Sequence, residues 1–484
     1  MKRETERKIA RICAGFWSGL NASAMPKRGR RKGVALLLVL TYVAVMSSTV
    51  LSGFLNSQVS FSISANVRDD LKAYYKAKTA LNLGQLMLTY QYELEQDEFF
   101  GQRLKKSNFQ LYQIMDLLVA PFKTGVISVD VPNADRTIAS YDLRGQGGVD
   151  AMGDDSGDYY VKVSPEEGRI NLNKFSEKVS ETDLYELCMM MASSEYDELF
   201  NTRSKEEHLS RMELIAAIID WVDADGEKTY ITSECQLEES SGDETNLYVD
   251  QRKKYSVKNA KLTTLDELYE VAGFGDDIME AFRDTLTVYP VEKINVNLSS
   301  AQVLYSALCG SVDTDSTNSD NKIWACQDQT IGTEIFFLAM ALEGYQQFVS
   351  NPMNLLYLYT VMNEKSVIPG VVPNGTVVPF RNNSEFYKVV KAMVEDSTLL
   401  PKFIVYSPTA YLMFGENVLT LAQSSVSLSN LTFSTSKLYP KITTASPRVF
   451  RVVAVGEYGG TRRTLTSVID FNTTGGKYLY WREY

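Results

Sequence analysis

The chain has 484 residues, 44% of them hydrophobic and 23% charged, with a formal net charge of -11. This is enough apolar material for at least one large core and two or three domains, and it excludes a disordered or fibrous chain. The acidic balance argues against a nucleic-acid partner and suits cations or basic protein surfaces.

The first 33 residues run against that balance, with ten Lys/Arg and two Glu, and end in the basic cluster Lys27-Arg28-Gly29-Arg30-Arg31-Lys32. From Val34 the sequence turns apolar through Met46 and on to Leu55, and no charged residue occurs between Gly33 and Val67. About 20 such residues span a bilayer as a helix. The positive-inside rule then leaves the basic cluster in the cytoplasm and everything after residue 56 outside it. A cleaved signal peptide has the same outline, but here no small-x-small site follows the apolar run. Helical spacing also continues past it through Val67, Leu71, Tyr74, Ala77, Leu81 and Leu88, so one helix is predicted from Val34 to about Glu95.

Between Gly125 and Val163, alternating segments separated by Asn, Gly and Asp predict a short antiparallel sheet. The period becomes helical from about Lys174 to Phe282, and further helices are expected over 333–345 and 384–394. Strand patterns are expected again from about Phe403, with two strands flanking the turn Glu457-Tyr458-Gly459-Gly460. Segments 310–321 and 419–436 read as loops. No internal repeat is evident. A sheet interrupted by a long helical stretch and then completed is an α+β chain with an inserted domain.

Candidate chemistry is sparse. The single histidine, His208, lies in a charged helical stretch and reads as a surface residue, and neither a nucleophile elbow nor a phosphate-cradling glycine loop is present. The carboxylates Asp220, Asp223, Asp225 and Glu227, followed by Glu234, Glu238, Asp243 and Glu244, have the oxygen chemistry and close spacing that a hard cation such as calcium requires. The competing reading is helix capping and ion pairing. Gly226 is expected to permit the tight turn. Asp313, Asp315 and Asp320 form a weaker second group. Cys188, Cys235, Cys309 and Cys326 lie on the outer, oxidising side and allow three pairings, of which Cys309 with Cys326, bracketing a loop, is preferred. Leu265-Asp266-Glu267-Leu268 through Gly273 to Gly275 is similar to a helix-hairpin-helix, but Asp276 and Asp277 stand where a phosphate would approach, so it reads as a packing module.

A basic leader ending in Gly33 directly before an apolar helix resembles the prepilin processing site. In the motifs that follow, the chain resembles the type II secretion minor pseudopilin K family: Asp158 to Val163, Gly168-Arg169-Ile170-Asn171-Leu172-Asn173, Ile219 to Asp225, Asn259 and Leu265 to Gly273, Lys293-Ile294-Asn295-Val296-Asn297, and the closing segments Phe450-Arg451-Val452, Gly460 to Val468 and Trp481-Arg482-Glu483. The resemblance implies cleavage after Gly33 by the prepilin peptidase and methylation of Val34. In most pilins the fifth mature residue is Glu; here it is Leu38, the departure expected of a tip subunit, since an unpaired buried carboxylate costs several kcal/mol. A start at Met25 would give the more ordinary leader length.

The implied fold is α+β, a pilin-like fold with a long N-terminal transmembrane helix and an antiparallel sheet, interrupted by a large inserted α-helical domain. The expected divisions are 1–33 leader, 34–95 helix, 96–173 first sheet part, 174–400 inserted helical domain and 401–484 C-terminal sheet part. The implied function is non-enzymatic: capping the pseudopilus tip, initiating its assembly and supporting export from a single-pass position in the inner membrane, the bulk being periplasmic. Implied partners are other minor pseudopilins and the pseudopilus, the prepilin peptidase, and secreted cargo or the secretin. Calcium binding is implied without a fixed ligand set. The alternatives are a minor pilin of a type IV pilus or competence system, and a membrane-anchored periplasmic enzyme or binding protein.

Overall fold

The computed structural model describes residues 34–98, 101, 110–115, 126–130, 137–142, 157–177, 179–192, 196–201, 209–238, 242–249, 255–313, 326, 328–350, 379–418, 428, 431–473 and 475–484. Gly33, Cys13, His208, Asp315 and Asp320 lie outside these residues. The chain divides into two compact units, Met1–Arg68 and Asp69–Tyr484.

Helix α1 (Val34–Gln96) is a single element of 63 residues. Its N-terminal stretch belongs to the first unit, has a mean hydropathy of 2.3 over its most apolar window, and exposes its side chains, Leu38 among them. It is long and apolar enough to cross a membrane.

In the second unit the same helix buries Ala73, Ala77, Ala80, Leu81, Gly84 and Leu88, positions three and four apart that line one face. Val67 and Leu71, which share the helical spacing, are exposed. Small residues predominate because the helix lies close to a sheet. A Cβ on Gly84 would sit 3.0 Å from Val161 Cγ2, and one on Gly456 would run into the Ala73 carbonyl and the Ala77 amide nitrogen. Arg463 grips Asp70 through two guanidinium nitrogens, Nη2 at 2.7 Å, Lys72 Nζ donates to Tyr458 Oη at 2.6 Å, and Arg448 pairs with Glu95 at 2.7 Å.

That sheet has four antiparallel strands in the order β12-β11-β10-β3: β3 (Gly157–Pro165), β10 (Val449–Tyr458), β11 (Thr461–Asp470) and β12 (Lys477–Glu483). Alternation sends Tyr159, Val161, Val452, Ala454, Phe450, Leu465 and Ile469 into the core shared with α1, while Val449 and Val468 join the core of the intervening segment. The segments β1 (Val126–Asp130) and β2 (Thr137–Asp142), expected in one sheet with β3, form a separate antiparallel pair. β3 is paired instead by β10.

The segment between β3 and β10 is mainly helical and closes by short parallel pairings. Strand β4 (Ile170–Asn171) pairs with β7 (Leu286–Thr287), and β8 (Ile294–Asn295) pairs with β9 (Ile442–Thr443). These pairings reveal an internal repeat where none was expected. Each unit opens on Ile-Asn-x-Asn, runs into a helix carrying a cysteine, α2 (Glu181–Met191) or α6 (Ala301–Cys309), and then into a second helix, α3 (Arg211–Val222) or α7 (Gln329–Ser350). Each returns by a strand beside its opening one.

The second asparagine performs the same task in both units. Asn173 Nδ2 donates to the carbonyls of Leu262 and Val288 while its Oδ1 accepts from Leu262 N. Asn297 Nδ2 donates to Phe380 O and its Oδ1 accepts from Phe380 N, both at 2.9 Å. Strands expected from about Phe403 begin only at β9; α9 (Leu399–Ile404) and α10 (Pro408–Phe414) occupy that stretch. Helix α8 (Asn383–Glu395) precedes them, started by the Asn382 side chain, which accepts from Glu385 N.

Candidate metal centre

Helix α3 begins with a capping box, Ser210 accepting from Glu213 N while the Glu213 carboxylate accepts from Ser210 N. It ends at Asp223, whose amide donates to Ile219 O at 2.9 Å. Asp220 therefore sits in the last turn, where the helix passes into the turn 223–227, and its Oδ1 accepts from Thr229 N at 2.8 Å. Asp225 Oδ1 accepts from Glu227 N at 2.9 Å, an Asx turn that bends the chain back. Bridge Glu227–Asp243 and the Lys228 N to Gly242 O hydrogen bond bring a second loop alongside, and Asp243 Oδ1 accepts from Thr245 N. Glu244 is thereby turned inward beside Asp220 and Asp223.

One ligand oxygen from each of Asp220, Asp223 and Glu244 lies within 4.8 Å of the others. The three residues are 1%, 6% and 2% exposed. No lysine or arginine forms an ion pair with them among the described residues. Asp220 Oδ2, Asp223 Oδ1, Glu244 Oε1 and the nearby Asn259 Oδ1 are buried without a hydrogen-bond partner.

Burial and mutual repulsion raise all three carboxyl groups. For Asp223, burial and then the charges of Asp225 and Asp220 push the value up to about 7. Glu244 is pushed up to about 8 by burial and by Asp220 and Asp223, against a hydrogen bond from Asn259. Asp220 is raised chiefly by burial, against hydrogen bonding from Thr229. Buried like charges without a counter-ion are costly, and a divalent cation bound by oxygen would reverse each of these terms. The donor set fits such an ion: three carboxylates, all hard, with oxygens within 4.8 Å of one another, and the unpartnered Asn259 Oδ1 beside them.

Asn259 also donates its side-chain amide to the Asp225 carbonyl and holds a left-handed backbone at φ 48. Near the carboxylates, Tyr248, Trp221 and Tyr255 form a mutual aromatic cluster, with Tyr248 5.7 Å from Trp221 and 5.3 Å from Tyr255, and Trp221 6.1 Å from Tyr255, ring to ring.

Of the residues singled out from sequence, Asp220 and Asp223 are brought together, while Asp225 and Glu227 are exposed and lie outside the three-carboxylate group. Glu244 and Asn259 complete the arrangement. Glu244 was visible only as one of several downstream acids, and Asn259 only as the opening of the motif that continues through Leu265 to Gly273. Gly226 keeps an ordinary backbone and faces open space, so the turn does not depend on it. Cys235 is bonded to Cys188 on α2, tying the loop after β5 (Tyr230–Ile231) to the core, and Cys309 is bonded to Cys326. The hairpin-like segment is a 3-10 turn, Leu265–Glu270, followed across the left-handed Gly273 by the short helix α5 (Asp276–Phe282). Leu209 packs where a Gly273 side chain would stand.

Residues 168–291 match a family model described as type II secretion system (T2SS), protein K. No curated protein matches the chain. Among solved structures, the chain is similar at 9% identity and a TM-score of 0.40 to a chain of the crystal structure of the GspK-GspI-GspJ complex from the enterotoxigenic Escherichia coli type 2 secretion system, over 87% of this chain and 99% of that one. The matched segment opens on Gly168, contains the first Ile-Asn-x-Asn unit and the acidic centre, and ends after β7; over it the chain is similar to the type II secretion system protein K family.

Proposed function

We propose that the chain is a minor pseudopilin of the type II secretion system that caps the pseudopilus tip, helps initiate its assembly and supports protein export. Helix α1 carries the proposal. It is free of charge from Val34 to beyond Val59, and its later part lies against the sheet by a face of small residues. A helix of this kind waits in the inner membrane and moves into a filament once the prepilin peptidase cuts after Gly33. Leu38 supports the tip position, because no subunit ahead supplies an ammonium for a glutamate there to neutralise, and burying an unpaired carboxylate is expensive. The long insertion between β3 and β10 would obstruct any subunit stacked above it. Its role is mechanical rather than catalytic. The partners are the other minor pseudopilins, and then cargo or the secretin.

Co-expression of the full-length chain with the smaller minor pseudopilins of its own system, followed by purification in detergent, tests this reading. A complex that survives size exclusion is expected, and elution of the chain alone in every combination would contradict it.

The acidic centre is proposed to hold calcium through Asp220, Asp223, Glu244 and Asn259, locking the loops after α3. The orphaned oxygens support this. Millimolar calcium should raise the midpoint of thermal unfolding by several degrees over the chelator-treated protein, as a ligand bound only by the folded state does. Terbium luminescence excited through Trp221, next in sequence to Asp220, should appear and be displaced by calcium. No thermal shift together with no luminescence would sink the assignment, and Asp223→Asn should abolish both signals.

A further inference from the structure

Opposite the face covered by α1, the sheet and the insertion leave an open cleft of about 420 Å3, within the size range of small-ligand sites. Its floor is set by strand register. Lys162, Val453 and Thr466 stand in one cross-strand row, and Ser164, Arg451, Val468 and Tyr480 in the next. The opposite wall comes from the start of the 3-10 turn and from the chain on either side of β7, including Asp266, Arg283, Asp284 and Tyr289.

The charge of this cleft is opposite to that of the chain. At its base Glu166, fully buried, accepts from Arg169 Nη1 at 3.0 Å, from Arg451 Nε at 2.7 Å and from Thr287 Oγ1 at 2.6 Å. One carboxylate thus anchors two guanidinium groups, and a positive charge is left over. Arg451 spends only Nε on Glu166; among the described residues its Nη groups make no hydrogen bond. Lys162, exposed one row away, has no hydrogen-bond or ion-pair partner among them either. Asp266 is already engaged, by Arg482 and by Arg283 at 3.7 Å. Among the described lining side chains the further carboxylate is that of Asp284, almost wholly exposed, 3.9 Å from Arg169 Nη2.

Planar guanidinium donors fixed from behind are suited to recognising a carboxylate. The surplus of one or two charges is too small for a polyphosphate. Tyr480 and Tyr484 supply flat, partly apolar walls of the kind that cover a peptide chain.

We propose that this cleft is a binding site for a carboxylate carried by a peptide segment, gripped by the Nη groups of Arg451 and by Lys162, with Tyr480 and Tyr484 against the chain that bears it. The site is distinct from the acidic centre and does not rest on the pseudopilin reading.

The test is calorimetric titration of the full-length protein in neutral detergent with three probes: acetyl-Ala-Ala-Ala with a free C-terminus, acetyl-Ala-Glu-Ala amide, and inorganic phosphate. Saturable one-to-one binding of either peptide, weakened by salt, is expected; the first probe binding marks a C-terminal carboxylate as the ligand group, the second a side chain. Lys162→Ala should weaken that binding about fivefold, the upper range for one exposed charge pair. Asp284→Asn, which removes the competing carboxylate from an exposed position, should strengthen it two- to threefold, roughly the effect of one screened charge. Arg451→Lys, which keeps the charge and loses the fork, should weaken it more than Lys162→Ala. The two surface variants keep the test valid if Arg451→Lys fails to fold. The proposal is overturned if neither peptide binds at millimolar concentration, if phosphate binds as well as the better peptide, or if affinity is the same in Lys162→Ala and Asp284→Asn as in the parent.

Discussion

Asn173 and Asn297 each fasten a remote stretch of backbone, Asn173 with two donated hydrogen bonds and one accepted and Asn297 with one of each, and neither can be replaced by an apolar residue without leaving peptide groups unmet in the interior. Asn173→Ala should cost about 3 kcal/mol, the penalty for one or two orphaned buried groups, and Asn297→Ala a similar amount, both read from urea midpoints. Glu166 adds a pH dependence. Burial alone would raise its carboxyl, but Arg169 and Arg451 outweigh that and hold it below the ordinary carboxylate range. Its stabilisation is therefore complete above the unfolded value near 4.3 and is lost as the pH falls through the depressed folded value. Urea unfolding should become easier as the pH drops below about 4.3, and Glu166→Gln should flatten that slope while lowering stability at pH 7. Asp220 and Asp223 were legible because they stand three apart at the end of a strongly periodic helix. Glu244 was not, since only the bridge between Glu227 and Asp243 turns it inward, and no local spacing encodes that fold-back.

At the scale of elements, α1 was the most legible feature, because a long charge-free run followed by continued helical spacing admits few alternatives. Which face it buries was legible in part: Ala77, Leu81 and Leu88 of the helical spacing are packed while Val67 and Leu71 are exposed, because the packed face is set by what the sheet leaves room for and small residues carry little hydrophobic signal. Gly456→Ala tests this packing. The added methyl meets backbone on α1 rather than a movable side chain, so the helix must shift, and a loss of about 2 to 3 kcal/mol, or several degrees in thermal midpoint, is expected. The stretch around Phe403 was misread because a short apolar run is consistent with either a strand or a buried helix. Burial of Leu399, Leu400, Phe403 and Ile404 together on α9 decides for the helix.

For the whole molecule, the sheet is completed across the long insertion. The pairing of β3 with β10 was legible only as an interrupted sheet, its register being fixed by contacts far apart in sequence. The repeat inside the insertion is not legible from its two Ile-Asn-x-Asn motifs, because the segments that follow them differ in length and composition and only the parallel pairings β4 with β7 and β8 with β9 show the equivalence. Similarity to the protein K family rests on the first of these units, while the pseudopilin reading depends on what becomes of the chain before Val34. Mass spectrometry of the mature protein's N-terminus, isolated from cells carrying the secretion system, tests most directly whether the chain is processed as a pseudopilin. The account predicts a chain beginning at N-methylated Val34. A chain retaining the basic leader, or one starting beyond the apolar run, would contradict it.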